Sequence, residues 1–353
     1  MFRVRAIQVE NGDSLLISYG QDEQPFHMLV DGGPSGSSKT LLCVLKSVLK
    51  SEGVDGQLWL EALVVTHYDL DHIQGVIELL NNTPPWLQIR EVWFNGYHHH
   101  HTPSDLLGPR EGDALSKLIR SRKLAWNAAY RKQENDKDGG AILQSSHAVS
   151  LRGGLDVRVL SPDQDGLTAL ARHWTNPVLP PPEPESAPGD LLGRGDTWPP
   201  KNFFFNGGAT FVSDTSVPNR SSIALLLTFD KKRVLLAADA FCDVIKRGLA
   251  IHLPNQEPID LLKVSHHGSK GNTDKSLVDV LRCKKYLIST SGKTHKHPDH
   301  ALIERLVAPR NEPEIIFNYA QGWPGEWQNI LTNWPSFKVR YPEGGNKFVD
   351  VSL

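Results

Sequence analysis

The stretch VVTHYDLDHIQG, residues Val64 to Gly75, sets two histidines and two aspartates within six residues directly after an apolar run. The run before it, LWLEALVV, has the apolar, β-branched character of a buried strand, and DHIQGVIELLNN after it spaces its apolar residues as a helix does. The polar cluster therefore falls where a strand ends and a helix begins, a common place for ligand sites in α/β folds. His67, Asp69 and Asp71 are alternate residues of an extended segment, and with His72 in the following turn they can converge on one point. Imidazole nitrogen and carboxylate oxygen are donors that hold zinc, manganese or iron. The plainer alternative makes Asp69 or Asp71 the N-cap of the helix and leaves the histidines on the surface.

Three later segments bear on that choice. VLLAADAF ends an apolar strand on Asp239, LLKVSHHGSKGNT ends another on His266 and His267, and STSGKTHKHPDH places His295, His297 and His300 beyond a third. Strand-end histidines and carboxylates are ordinarily just solvated. Four such ends on strands able to share a sheet point instead to a common metal centre.

Around these motifs the chain alternates strand-like and helical runs. FRVRAIQV, DSLLISY and FHMLVDGG read as an antiparallel meander, and SSKTLLCVLKSVLKSEG as an amphipathic helix with a Ser/Thr start and a Gly stop. GDALSKLIRSRKLAWNAAYRKQEND reads as one or two helices, with Trp126 and Tyr130 packed inward and Arg120, Arg122, Lys123, Arg131 and Lys132 solvated; the alternative is a strand-binding face for nucleic acid. VSLRGGLDVRVLSPD reads as a hairpin, and SSIALLLTFD with KRVLLAAD as another. Residues 176–202 are so rich in Pro and Gly that an extended loop is expected. YHHHH, ending at His101, reads as a solvated loop, and GWPGEWQNILTNWP as a C-terminal packing module.

Composition limits the partners. The 353 residues carry 38 Lys and Arg against 40 Asp and Glu, a net charge of -2, so no global basic field marks a nucleic-acid or membrane partner and an anionic substrate must be met by local charge. Cys43, Cys242 and Cys283 have no C-x-x-C spacing, which argues against a disulfide framework or a cysteine zinc site and suits a reducing cytoplasm. No apolar run approaches the roughly 18 residues of a bilayer span, and MFRVRAIQVENGD lacks a signal-peptide core.

The sequence resembles the metallo-β-lactamase superfamily. That family's H-x-H-x-D-H signature appears here as His67, Tyr68, Asp69, Leu70, Asp71, His72, with Asp in place of the second histidine. This exchange, the opening VENGDSLLI and MLVDGG, NRSSIALLL before the Asp239 strand, and LLKVSHHGS are similar to the ComEC-like, DNA-uptake branch and its free-standing hydrolases. The likeness covers about residues 1–110 and 140–305. It implies a single αββα sandwich (α/β, α+β) over residues 1–353, with an inserted middle segment and a C-terminal extension, 306–353.

It also implies two divalent metal ions, Zn2+ or Mn2+. His67 and Asp69 would bind one, Asp71 and His72 the other, and Asp239 would bridge them. One histidine of the SHHG pair would complete the second site, with His267 favoured as ligand, His266 facing the substrate, and the reverse left open. Asp31 in VDGG matches a supporting loop. The family's usual third histidine, between the two halves, has no clear counterpart: His147 and His173 fit by order only, which leaves the first site short of protein ligands. Paired cations lower the pKa of a water from about 15.7 towards 7, so the implied activity is a cytoplasmic phosphodiesterase or nuclease acting on nucleic acid or a nucleotide. In it, Asp71 would orient the nucleophile, and His297 would protonate a leaving group or bond a phosphoryl oxygen. Lys263, Ser269 and Lys270 would offer charge or a hydroxyl to an anionic substrate, or be plain surface. The alternatives are a hydrolase of a small phosphoester, lactone or amide, or a non-catalytic, metal-stabilised partner-binding subunit.

Overall fold

The computed structural model describes residues 1–99, 110–131, 138–174, 196–200, 203, 210–309, 312–329 and 333–353. The first three strands, β1 (Phe2–Ile7), β2 (Leu15–Gln21) and β3 (Gln24–Val30), form the expected antiparallel meander, with Phe2 opposite Tyr19 and Leu15 opposite Val30. β4 (Leu58–Val64) then joins β3 in parallel. β5 (Leu87–Ile89) and β6 (Glu91–Trp93) both pair with β4, and β7 (Ala125–Trp126) adds to β6.

The second sheet repeats that plan. β8 (Val149–Ser150), β9 (Asp156–Ser161), β10 (Ala224–Phe229) and β11 (Lys232–Leu236) are antiparallel. β12 (Leu261–Lys263), β13 (Lys285–Ile288), β14 (Glu314–Phe317) and β15 (Lys338–Arg340) continue it in parallel. The chain ends in β16 (Phe348–Ser352), which returns to the first sheet beside β1, Val4 opposite Val351.

Strand alternation decides which residues meet. Val4, Ile17, Met28, Ala62 and Val64 of the first sheet face Val157, Leu225, Leu227, Val234 and Leu236 of the second in one inner core. The opposite face of the first sheet is covered by α1 (Ser38–Glu52), α2 (Leu70–Asn81), α3 (Arg110–Ser121) and α4 (Gln164–Trp174). After the short α5 (Val217–Arg220), helices α6 (Cys242–His252), α7 (Lys275–Leu281) and α8 (His300–Val307) cover the outer face of the second sheet. The architecture is an αββα sandwich. α1 forms as its pattern predicts, burying Leu41, Val44, Leu45 and Val48 on one stripe. Each such side chain contributes roughly 1.5–3 kcal/mol on burial. Trp327, just after α9 (Trp323–Glu326), and Trp334 pack into the outer core of the second sheet, as the C-terminal tryptophans suggested.

One expected helix is absent. α3 stops at Ser121, and the segment after it turns through Lys123 at positive φ into β7 and a single 3-10 turn, Ala128–Tyr130. The aromatics do pack inward, but from extended and turn backbone: Trp126 is wholly buried with its Nε1 donating to Phe94 O at 2.8 Å, and Tyr130 reaches the inner core. Of the Pro-rich stretch, all but 196–200 lies outside the described residues, as do His100 and His101. His98 lies half-buried in a 3-10 turn, Tyr97–His99, its ring 4.3 Å from that of Trp126 and its Nε2 3.4 Å from Asp138.

A close crossing positions the quoted motif. The VDGG loop after β3 lies directly on the first turns of α2, with Gly32 N donating to His72 O at 2.9 Å and Gly75 N to Gly33 O at 2.8 Å. A Cβ on Gly75 would stand 1.9 Å from Gly32 O, so only glycine permits this approach.

Candidate metal centre

The carboxyl ends of β4, β11 and β12 lie at one end of the sandwich and bring four histidines around one carboxylate. Asp239 Oδ2 is 3.4 Å from His72 Nε2, 3.8 Å from both His266 Nε2 and His267 Nε2, and 4.0 Å from His67 Nε2. Asp69 Oδ2 lies 3.5 Å from His67 Nε2, while Asp71 approaches His267 Nε2 at 3.2 Å and His72 Nε2 at 3.9 Å. Asp69 precedes α2 in extended backbone but caps nothing with its side chain, so the plain N-cap reading fails there. The backbone is bent to make this possible: Ala238, His266 and His267 all hold positive φ. Such conformations cost on the order of 1–3 kcal/mol each and gather at functional sites.

Each ring is held from behind. His72 Nδ1 meets Asp31 Oδ2 at 2.8 Å, and Asp31 is fixed in turn by Thr66 N and Thr66 Oγ1, both at 2.8 Å. His67 Nδ1 pairs with Thr66 Oγ1 at 3.0 Å, His267 Nδ1 with Ser289 O at 3.0 Å, and His266 Nδ1 with Asn272 Oδ1 at 3.0 Å. With Nδ1 engaged, Nε2 is the free ligand atom. The Nε2 atoms of His67, His72 and His267, and Oδ1 of Asp239, are buried with no hydrogen-bond partner among the described residues. Buried polar groups are rarely left so.

The electrostatics point the same way. Burial opposes charge on the rings, yet the carboxylates reverse it, Asp239 foremost: His266 is pushed up to about 9, His267 to about 10, and His72 well above the ordinary histidine value. Asp71 and Asp239, despite burial, are held well below the usual carboxylate range by these imidazoles, His72 first. The cluster favours positive charge, and a divalent cation meets that demand with one ion in place of several protons. Ligand atoms about 2.0–2.2 Å from one tetrahedral ion stand roughly 3.3–3.6 Å apart, close to the spacings here. Two triads bring one ligand atom each to within 4.8 Å of the others, His67–His72–Asp239 and Asp71–His72–His267. A third, Asp13–Asp31–His72, is occupied by hydrogen bonds and ion pairs behind His72.

All six expected ligands, His67, Asp69, Asp71, His72, Asp239 and His267, thus lie in one cluster, with Asp31 behind it. His297 stands at the rim, its ring 6.0 Å from that of His266, buried, with no hydrogen bond at either nitrogen among the described residues and Asp299 Oδ1 3.7 Å from its Nδ1. His295 lies 6.0 Å beyond it, whereas His300 stacks on Trp323. Lys263 is neither surface nor substrate contact: it is fully buried and its Nζ binds Asp13. Ser269 is likewise buried, and Lys270 N donates to Asp299 Oδ2 at 2.7 Å. His147 bonds Ala129 O instead.

Sequence reasoning missed Asp13, Asp214, Asn219 and Asn272. Asp13 had one available signal, because a lysine inside the apolar run LLKV needs a buried counter-ion. Asp214 and Asn272 sit in irregular segments and Asn219 in the four-residue α5, with no periodicity to mark them.

No protein-family model and no curated protein matches this chain. Among solved structures it is similar to a mutant of CmlA beta-hydroxylase, at 9% identity and TM-score 0.41 over 100% of this chain and 54% of that one, so it spans about half that protein's length. It is also similar to the metallo-beta-lactamase fold protein YhfI from Bacillus subtilis, at 11% identity and TM-score 0.41 over 99% of each chain. Identities this low leave the chemistry to be argued from the residues themselves. No helix among the described residues is long and apolar enough to cross a membrane.

Proposed function

We propose that this chain is a metal-dependent hydrolase of phosphodiesters, a nuclease or nucleotide phosphodiesterase, with two divalent cations, zinc or manganese, held by His67, Asp69, Asp71, His72, Asp239 and His267. The observation that carries this reading is the convergence of four imidazole Nε2 atoms on the Asp239 carboxylate, each ring held from behind at Nδ1. Bound there, such cations supply an activated water and offset charge developing on the attacked centre.

The chain's own groups do the rest. Asp71 is the most open of the carboxylates facing His267, and Asn11 Nδ2 reaches its Oδ2 at 3.4 Å, which suits it to orient the nucleophile. His297, its Nδ1 facing Asp299 Oδ1 at 3.7 Å and its Nε2 without a hydrogen-bond partner among the described residues, is suited to give a proton to the leaving oxygen. Phosphodiester as the substrate class rests on the resemblance of the His67–His72 motif to the ComEC-like branch.

The test is turnover of metal-loaded protein on single-stranded and duplex DNA, RNA and bis(p-nitrophenyl) phosphate. Zinc- or manganese-dependent cleavage is expected, and His72→Ala or Asp71→Ala should lower it by at least about 10²-fold while the circular dichroism spectrum stays native, because these side chains serve the site rather than the core. Inert phosphodiesters together with opened lactones or cleaved phosphomonoesters would transfer the assignment to a small-substrate hydrolase.

A further inference from the structure

The two metal positions implied by the motif are unequally supplied. Asp71, His72, His267 and Asp239 give four protein groups to one; His67, Asp69 and Asp239 give three to the other, and neither His147 nor any other histidine of the middle segment is seen at the cluster among the described residues. His266 is the remaining imidazole on the bridging carboxylate, its Nε2 as near to Asp239 Oδ2 as that of His267, 3.8 Å.

What stands behind His266 fixes how that nitrogen can act. Asp214 Oδ2 is 3.3 Å from its Nδ1, beside Asn272 Oδ1 at 3.0 Å. Asp214 is itself buried and held in place by Ser216 N at 2.8 Å, Asn219 Nδ2 at 2.7 Å and Asn272 Nδ2 at 3.0 Å. Asn272 Nδ2 also donates to Asp239 O at 3.1 Å, so one amide ties the support of His266 to the strand end bearing the bridging carboxylate. The two acceptor oxygens lie nearer to Nδ1 than the amide donor Asn219 Nδ2, 3.4 Å away, and so hold the proton there; a cation taking the place of a proton on Nε2 then meets that nitrogen's lone pair beside Asp239. That is the arrangement of a metal-bound histidine backed by a carboxylate, whereas a proton donor to substrate needs its proton on the exposed nitrogen.

We propose that His266, oriented by Asp214, is the missing protein ligand of the first metal position, taking the part for which the described residues of the middle of the chain supply no histidine. This rests on the dimetal reading above and reassigns His266 from the substrate side to the metal. Asp214 is a positioning residue that acts through His266.

The experiment measures metal, not turnover: ion content after zinc loading and desalting, zinc titration calorimetry, and the visible spectrum of cobalt-substituted protein, for the wild type, His266→Gln and Asp214→Asn. The wild type is expected to take up two ions in two resolved steps. His266→Gln should lose the weaker ion on desalting, and Asp214→Asn should weaken that one step by about 10–100-fold and alter one component of the cobalt spectrum, with the tighter step unmoved. A merely structural role for Asp214 would instead shift both steps or lower the melting temperature of the metal-free protein. Asp214→Asn is isosteric, so it decides the matter if His266→Gln does not fold. Two equally tight ions in both variants would overturn this assignment alone; a wild type that takes up no ion would overturn it together with the metal-centre reading.

Discussion

Lys263 has no exposure to solvent and Asp13 is its counter-ion, on the far side of His267 from Asp239. Burial works against the Asp13 carboxylate, yet Lys263 and then His267 hold its pKa down at about 2. Replacing Lys263 by methionine leaves that charge buried and unpaired, which costs on the order of 3–5 kcal/mol. A loss of that size is expected in urea unfolding of Lys263→Met, with most of it recovered in the double variant Lys263→Met, Asp13→Leu; equal losses in single and double variants would show that packing, not charge, matters here. At this scale the candidate ligands were legible, because each is a polar residue at or just past the end of an apolar run. Asp13 and Asp214 were not, because the lysine that Asp13 pairs with is 250 residues away and the histidine that Asp214 supports about 50.

Between elements, the decisive contact is the crossing of the VDGG loop on α2. It sets Asp31 against His72, so the helix start and the ring orientation depend on one backbone approach. Gly75→Ala should destabilise the fold by about 1–3 kcal/mol through overpacking and weaken metal uptake along with it, measured as melting temperature and bound zinc; native values for both would remove the crossing from the account. Most strands and α1 follow from period-2 and period-3.6 patterns. The stretch after α3 misleads because RSRKLAWNAAY has helical composition, while tertiary contacts prevail: Asn127 at positive φ receives and donates bonds at Phe94 N and Phe94 O, and these pin β7 to the sheet. Local propensity is a weak prior against such contacts.

Across the whole molecule, polar groups gather at both ends of the sandwich. Away from the candidate metal centre, a cleft of about 970 Å³ opens, lined by Phe26, His27, Trp59, Glu61, Arg90 and Arg152. Glu61 is buried there against Arg90, 2.9 Å away. His27 lies beneath with its Nδ1 on Ser18 Oγ at 3.0 Å, and burial, outweighing the pull of Glu52, drives its pKa down to about 4. The unfolded chain takes up this proton near pH 6.5 and the folded chain only near 4. The contribution of His27 is therefore complete above about pH 6.5 and lost as the pH falls towards 4, by at most about 3 kcal/mol. His27→Gln should flatten the fall in stability between pH 6.5 and 4.5; an unchanged slope would exclude His27 as its source. The pairing of β16 with β1 could not be read from any local pattern, since it joins Val4 to Val351.

The ligands of the candidate centre come from both layers: His67, Asp69, Asp71 and His72 follow β4 of one sheet, while Asp239, His266 and His267 follow β11 and β12 of the other. A cation among them would therefore be a rivet through the sandwich, joining two surfaces that otherwise meet through the apolar inner core and a few polar links such as Lys263–Asp13, and its removal a mechanical event as well as a chemical one. An ion present at a hundred times its dissociation constant adds about 2.7 kcal/mol to the folded state. Chelation should lower the melting temperature accordingly, and amide exchange should quicken first at residues 66–72 and 265–268, on both sides of the seam at once, while the opposite end near His27 keeps its protection.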